Sequence, residues 1–289
     1  MIQEIQAKVL LSSAKRPDPW FGIKYTMNLY RGCQHQCIYC DSRSECYQIE
    51  NFADILVKVN AIDLLRNELA RKRIKGTIGT GSMNDPYMPL EAKLNLTGRA
   101  LAVIAEFRFP VHILTKSDLV LRDVDTLYEI SREYAAVSFT ITTADDELGR
   151  KVEPGALLVS QRFHAMQVLA TRGILTGVTM MPSLPFIEDN EENITQIVVR
   201  AHKWGAAYIL PSFGMTLRDR QRAYYYDQLD KLFPGLRRKY EERFGDRYSC
   251  TVPSAAKLDK LFHELCSRYG IATRMPTYAP QAGTQMRLL

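Results

Sequence analysis

No apolar run in the sequence is long enough to cross a membrane: the longest, at residues 100–105, is cut by Glu106, far short of the ~20 residues a span needs. The N-terminus, MIQEIQAKVLLSSAKRP, has an acid and glutamines where a secretory signal has a basic start and an apolar stretch. Both absences point to a soluble, cytoplasmic protein that does not engage a membrane. Cysteine is scarce, six in 289 residues, too few for a disulfide scaffold. The chain shows no internal repeat of solenoid period and no Gly- or Ser-rich linker. At 46% apolar and 24% charged residues, it is not disordered, collagen-like or low-complexity, and it is long enough to bury a full α/β core. The charge excess is small. Lys and Arg number 38 against 32 acids, a net +6, which admits a polyanionic partner without requiring one.

What is there is a regular alternation. Short β-rich runs at 23–30, 77–81, 110–115, 136–142, 174–180 and 207–212 are separated by helical patterns around 53–73, 97–107, 123–134, 156–171 and 190–204. The first helical stretch repeats apolar residues at Ile55, Val59, Ile62, Leu65 and Leu69. The last is predicted to start after Asp189, with Glu192 closing a capping box. It places Ile194, Ile197, Val198 and Ala201 on one face and stops at Gly205. Six strands alternating with helices imply a parallel sheet with right-handed crossovers, either an open doubly wound sheet or a barrel. In the fourth run Val137, Phe139 and Ile141 point one way, and Ser138, Thr140 and Thr142 the other. A strand covered by helices on both sides is apolar on both faces. A hydroxyl face suits a lumen holding a polar ligand, although Thr is also simply β-favoured. After residue 213 come a charged segment (217–244), a helix near 254–269 and a tail. The expected division is a barrel domain over 1–215 and a C-terminal helical extension, 216–289, packed on it.

Four cysteines crowd between positions 33 and 46, a placement more typical of a metal site in a reducing compartment. Cys33, Cys37 and Cys40 in RGCQHQCIYC have C-x-x-x-C-x-x-C spacing. Three such thiolates can wrap three corners of a cubane iron–sulfur cluster. Clusters are ordinarily held by four cysteines, so three leave one iron open to a substrate or cofactor. The alternative is zinc with His35 or Cys46 as the fourth ligand, but structural zinc sites join two separated pairs and these donors are all local.

This loop, with Tyr39 just before the last cysteine, resembles the signature of radical S-adenosylmethionine (SAM) enzymes. The segments NLYRGCQHQCIYCDSR, NDPYMPLE (84–91), ILTKSDLVLRDVDTL (113–127), SFTITT (138–143) and KVEPGA (151–156) are similar to the spore photoproduct lyase-like branch over about residues 20–215. The resemblance implies an α/β fold, a partial (β/α)6 TIM-like barrel. It also implies a [4Fe–4S] cluster on Cys33, Cys37 and Cys40 whose fourth iron chelates the amino and carboxylate groups of SAM. One electron from the reduced cluster would break the sulfur–C5′ bond, and the 5′-deoxyadenosyl radical would take a hydrogen atom from the substrate. The electron donor implied is one such as flavodoxin or ferredoxin.

The same resemblance assigns cofactor contacts. Tyr39 would lie against the adenine, Lys116 would pair with the methionine carboxylate, and Ser138 would touch the cofactor. Ser82, Asn84 and Asp85 would face its amino group. Taken alone, Tyr39 also reads as core, Ser138 as an inert strand residue and Asp85 with Pro86 as a turn former. Lys116 also reads as a loop lysine, although it stands at a strand's C-terminal end, where barrels gather their chemistry. Glu91 reads as part of the same lip or as a first-turn acid, and Glu153 with Arg162 as an ion pair shaping a loop.

The resemblance stops at one point. The lyase returns a hydrogen through a cysteine in the barrel, whereas no Cys lies between Cys46 and Cys250 here. The chain is therefore expected to be a shorter relative of the lyase. Cys46 reads as structural, and Cys250 could return over the barrel mouth with the extension. The stretch 217–248 interleaves nine Arg and Lys and six acids with Tyr224, Tyr225, Tyr226, Tyr240 and Tyr248. Such a stretch either stacks on nucleic acid or is a solvated amphipathic helix. The leading expectation is a radical SAM enzyme acting on an unidentified substrate, a nucleic-acid base foremost. The alternative is an iron–sulfur protein that uses its cluster as an electron relay or staple.

Overall fold

The computed structural model describes residues 1–49 and 51–280. Six parallel strands lie side by side in chain order: β1 (Ile23–Met27), β2 (Thr77–Thr80), β3 (Val111–Thr115), β4 (Ala135–Thr140), β5 (Leu175–Met180) and β6 (Tyr208–Pro211). A seventh strand, Leu11–Ser13, pairs antiparallel with β1 at one edge. The strand β6 forms the other edge, so the sheet is an open, partial barrel. Helices on its outside cover apolar side chains, and Ile194, Ile197, Val198 and Ala201 of the helix Glu191–Lys203 are fully buried. That helix starts one residue later than the sequence suggests. Asn190 is the cap, accepting from the Asn193 backbone N–H at 2.9 Å, while Glu192 faces solvent beside Gln196 and closes no capping box.

A second difference concerns the stretch 53–73. Its helix is confined to Ala61–Ala70, and Ile55–Lys58 is a strand. That strand runs parallel to Ile2–Ile5 and antiparallel to Tyr30–Arg31 in a small separate sheet. Ile55 and Val57 are buried in alternation, and over four residues the apolar spacing suits either element.

The lower lumen is filled. His112 Nε2 lies 2.8 Å from Ser138 Oγ, and Ser138 Oγ lies 2.6 Å from the Tyr208 hydroxyl. Phe21 stacks on His112 at 4.6 Å. The Tyr208 ring lies so close over Gly177 that a Cβ there would overlap it. The hydroxyl face of β4 is thus divided between the filled base, where Ser138 sits, and the open upper lumen, where Thr140 lines a cleft.

Beyond β6, the strands Gly214–Thr216 and Ser249–Thr251 form an antiparallel ribbon, joined by the helices Asp219–Leu232 and Leu236–Phe244. The last helix, Ala255–Tyr269, packs on Glu191–Lys203. The tyrosines of this region are core rather than a stacking platform: Tyr225, Tyr226 and Tyr240 are buried with Phe244 and Cys250. Tyr225 and Tyr240 share a 2.9 Å hydrogen bond, and Tyr240 donates to the Pro185 carbonyl at 2.7 Å. Of the five, only Tyr248 is exposed, and Tyr224 lies against Arg43. Several of the cations are spent internally, Arg237 on Asp230 and Glu241, Arg222 on the Leu217 and Arg247 carbonyls. The final nine residues of the tail lie outside the described residues.

Candidate active site

The cysteine loop leaves β1 through Gly32, whose φ of +78° and close approach to the Asp54 carbonyl leave no room for a side chain. Cys33 and Cys37 are buried, Cys40 is half-buried, and all three are free thiols. They line one small cavity of about 80 Å³ together with His35, Ser82, Asn84, Asp85 and Lys116. Burial pushes the Cys33 thiol up to about 12 and also raises those of Cys37 and Cys40. A desolvated thiolate needs a positive partner, which the irons of a cluster supply. Three such thiols around one cavity therefore suit a cubane. The fourth ligands that zinc would need are otherwise placed: both ring nitrogens of His35 are taken up by Gly155 and Asp85, and Cys46 is exposed outside the cavity.

The loop is clamped from one side by residues 152–155. Ile38 N–H donates to the Val152 carbonyl, Gly155 N–H to that of His35, and His35 Nδ1 to that of Gly155, each at 2.9 Å. His35 Nε2 lies 3.1 Å from Asp85 Oδ2, so the imidazole braces the loop beside the three cysteines. A Cβ on Gly155 would be driven into the Gln34 carbonyl oxygen. Gly155→Ala is therefore expected to displace the loop and lower the iron and sulfide retained after anaerobic reconstitution. Wild-type loading in that variant would contradict the clamp.

Asp85 joins the loops after β2 and β3. It accepts from Tyr87 N–H at 2.8 Å, the Thr115 hydroxyl at 2.7 Å and Lys116 N–H at 2.6 Å. Burial opposes its charge, but His35 and these donors outweigh it and lower its pKa to about 2. Asn84 donates to the Tyr30 carbonyl at 2.7 Å, and Ser82 stands exposed at the rim. Glu91 belongs to the scaffold: it accepts from Tyr30, from Leu96 and Thr97 N–H, and from Arg122 at 2.8 Å.

Tyr39 donates to Glu153, and Arg162 Nη1 pairs with the other Glu153 oxygen at 2.5 Å. Both members of that ion pair are fully buried. Arg162 also donates to the Leu157 carbonyl at 2.9 and 2.6 Å and to that of Thr140 at 2.9 Å. Lys116 Nζ lies 3.9 Å from Glu153 and 5.9 Å from the Tyr39 ring centre. One carboxylate thus serves two cations, leaving positive charge on a half-buried ammonium that faces the cleft. The pair shapes its loop, as the sequence suggested, and also fixes Tyr39 and balances Lys116. That second role was missed. The only available signal was that Glu153 falls within the KVEPGA motif.

Above the cysteine cavity opens a cleft of about 470 Å³. Tyr39, Ser82, Lys116 and Thr140 line one side, and Ser212, Thr216, Ser249 and Thr251 another. Ser138 lies below, in the filled base. Asp41, next to Cys40, accepts from Tyr47 at 3.0 Å, Thr216 at 3.1 Å and Arg218, while Gln221 donates to the Tyr39 carbonyl at 3.0 Å. Thr216, Arg218 and Gln221 therefore hold the cysteine loop in addition to residues 152–155. Strand alternation turns Ser249 and Thr251 to the cleft and Cys250 into the tyrosine core, and Cys46 is exposed outside the cleft.

The family model for the radical SAM superfamily matches residues 27–198. The chain belongs to the radical SAM superfamily. It is 36% identical over 193 residues to an uncharacterised protein of Methanocaldococcus jannaschii, covering 66% of this chain and 70% of that one. It is 24% identical over 199 residues to the radical SAM Nα-GlyT isomerase of Pseudomonas phage M6, covering 68% and 41%. Its fold is similar to that of a spore photoproduct lyase variant with bound AdoMet and dinucleoside spore photoproduct. The TM-score is 0.70 at 14% identity, over 93% of this chain and 79% of that one. It is also similar to the radical SAM methyltransferase TsrM from Kitasatospora setae with cobalamin and a [4Fe–4S] cluster bound, with a TM-score of 0.54 at 13% identity over 90% and 54%.

As a radical SAM enzyme the chain uses a [4Fe–4S] cluster and SAM and needs an electron donor. No helix among the described residues is long and apolar enough to cross a membrane. One buried acid of this radical SAM enzyme stands apart from the cysteines. Glu188 accepts from the Thr142 hydroxyl at 2.7 Å and Leu184 N–H at 2.9 Å, yet burial dominates and pushes its pKa from 4.5 up to about 8. The folded state thus holds a proton that the unfolded state has lost. Between pH 4.5 and about 8 stability falls as pH rises, and below that window the group contributes nothing. Glu188→Gln is expected to flatten the decline in urea midpoint between these limits; an unchanged decline would exclude Glu188 as its source.

Proposed function

We propose that this enzyme cleaves SAM reductively and takes a hydrogen atom from a nucleic-acid base held in the cleft. The carrying observation is that the free thiols of Cys33, Cys37 and Cys40 share one cavity directly beneath Lys116 and the cleft. Cys33, Cys37 and Cys40 would hold the [4Fe–4S] cluster, which would supply the electron for reductive cleavage of SAM and so for hydrogen abstraction from the substrate.

The protein's own residues bind and orient. Lys116, sharing its carboxylate partner with Arg162, receives the methionine carboxylate, and Tyr39 is held by Glu153 against the adenine. Ser82, Asn84 and the ionised Asp85 face the amino group. Ser138 supports the floor through His112 and Tyr208. The division into a barrel domain, 1–215, and an extension, 216–289, gives the extension the outer wall of the cleft. That wall offers the hydroxyls of Thr216, Ser249 and Thr251, beside that of Ser212 from the barrel domain; they donate and accept and so suit the mixed edge of a base. The dinucleoside in the similar lyase structure supports the same substrate class. A flavodoxin or ferredoxin is the proposed donor, and a reducing cytoplasm suits six free cysteines. Nothing in the geometry favours the alternative of a relay or staple.

The test is anaerobic turnover with SAM and a reductant, with oligonucleotides, damaged and undamaged, compared with pooled peptides. A rise in 5′-deoxyadenosine with oligonucleotide, and transfer of deuterium into it from labelled DNA or RNA, is expected. A rise with peptides alone would move the substrate to another class.

A further inference from the structure

Behind the cysteine loop lies one buried cation that the chemistry above does not use. Arg43 is 8% exposed and does not line the cleft. Its Nη2 donates to Gln36 Oε1 at 2.6 Å, and Gln36 Nε2 donates to the Cys33 carbonyl at 2.5 Å. Its own backbone N–H donates to the Cys40 carbonyl at 3.2 Å. The guanidinium carbon lies 3.6 Å from the Tyr224 ring centre and 4.5 Å from that of Phe52. Phe52 in turn packs with Cys33 and Cys40. The Nε atom has no partner, and no carboxylate pairs with this guanidinium among the described residues. The two rings hold the charge in place through cation–π contact without neutralising it. A buried guanidinium is normally paired with an anion. Here no carboxylate among the described residues fills that role.

Three thiolates give a [4Fe–4S] cluster a net negative charge, which grows by one on reduction. Cluster potentials respond to nearby charge, hydrogen bonding and burial. We propose that Arg43 is the counter-ion of the cluster, a positioning residue that makes the reduced state easier to reach. The inference rests on the reading of Cys33, Cys37 and Cys40 as cluster ligands. The step is a one-electron reduction: the cluster gains the electron that the external reductant loses, and Arg43 keeps its protons throughout. Because Tyr224 belongs to the helix Asp219–Leu232, the C-terminal extension becomes part of the redox site.

The experiment is a redox titration of the reconstituted full chain, followed by the electron paramagnetic resonance signal of the reduced cluster. At a fixed potential, Arg43→Gln is expected to lower the ratio of reduced to oxidised cluster about tenfold, which for one electron is about 59 mV. Arg43→Lys, which keeps the charge, is expected to stay within about threefold of the wild type. A fully loaded Arg43→Gln protein with an unchanged midpoint overturns the proposal. Where Arg43→Gln takes up no cluster, Arg43→Lys decides: a wild-type midpoint supports the role of charge, and a tenfold fall contradicts it. The lack of any cubane signal in the wild-type chain would instead refute the cluster reading on which the proposal stands.

Discussion

Cys37→Ala is expected to abolish cluster binding, with loss of iron, sulfide and visible absorption and a fall of SAM cleavage to background. Substitutions in the shell around a metal's ligands typically cost 10–100-fold in affinity, and removal of a ligand should exceed about 100-fold here. Cys37 is the middle of the three thiols, buried, and pinned through Ile38 to the Val152 carbonyl. No spare thiol can replace it: Cys46 is exposed outside the cysteine cavity, Cys250 is enclosed by tyrosines, and Cys266 is buried in a distant helix. The contrast is therefore as informative as the loss. Cys46→Ala should load and turn over like the wild type, whereas retention of a full cluster by Cys37→Ala would mean that the ligand set is wrong.

The second large effect is on stability. Glu153→Ala leaves Arg162, fully buried, without its carboxylate. Breaking a buried pair from one side typically costs about 3–5 kcal/mol, because the remaining charge is uncompensated. The same change removes the acceptor of Tyr39 and the neighbour of Lys116, so SAM binding should weaken as well. Equilibrium urea unfolding measures the first effect and SAM binding by calorimetry the second. A loss below about 1 kcal/mol, the range of an exposed pair, would show that water reaches Arg162 in solution.

The parts legible in the sequence were those written in adjacent residues. Each of the six sheet strands falls within or against its β-rich run because strand, turn and helix signals lie together. The three cysteines fall on one cavity, and their nearness was legible because eight residues hold them all. What escaped depends on partners far along the chain. Ile55–Lys58 is a strand only because Ile2–Ile5 and Tyr30–Arg31 flank it, and its short apolar pattern carries no trace of them. Tyr225, Tyr226 and Tyr240 look like a basic, aromatic surface until Phe186, Phe244 and Cys250 close around them. The position of Cys250 followed from strand alternation, which becomes readable only once Ser249–Thr251 is known to pair with Gly214–Thr216. Arg43, three residues after Cys40, was in plain view within CDSR. Its meaning appears only when Phe52 and Tyr224 are seen on either side of it.

The central test is the fate of SAM itself. The full chain, reconstituted anaerobically with iron and sulfide and then reduced, is incubated with SAM, and 5′-deoxyadenosine and methionine are quantified beside a Cys37→Ala control. A radical SAM enzyme with the site described above gives both products in the wild type and neither above background in the variant. A wild-type protein that holds its full cluster yet releases no 5′-deoxyadenosine, with or without oligonucleotide, would contradict SAM cleavage at Cys33, Cys37 and Cys40.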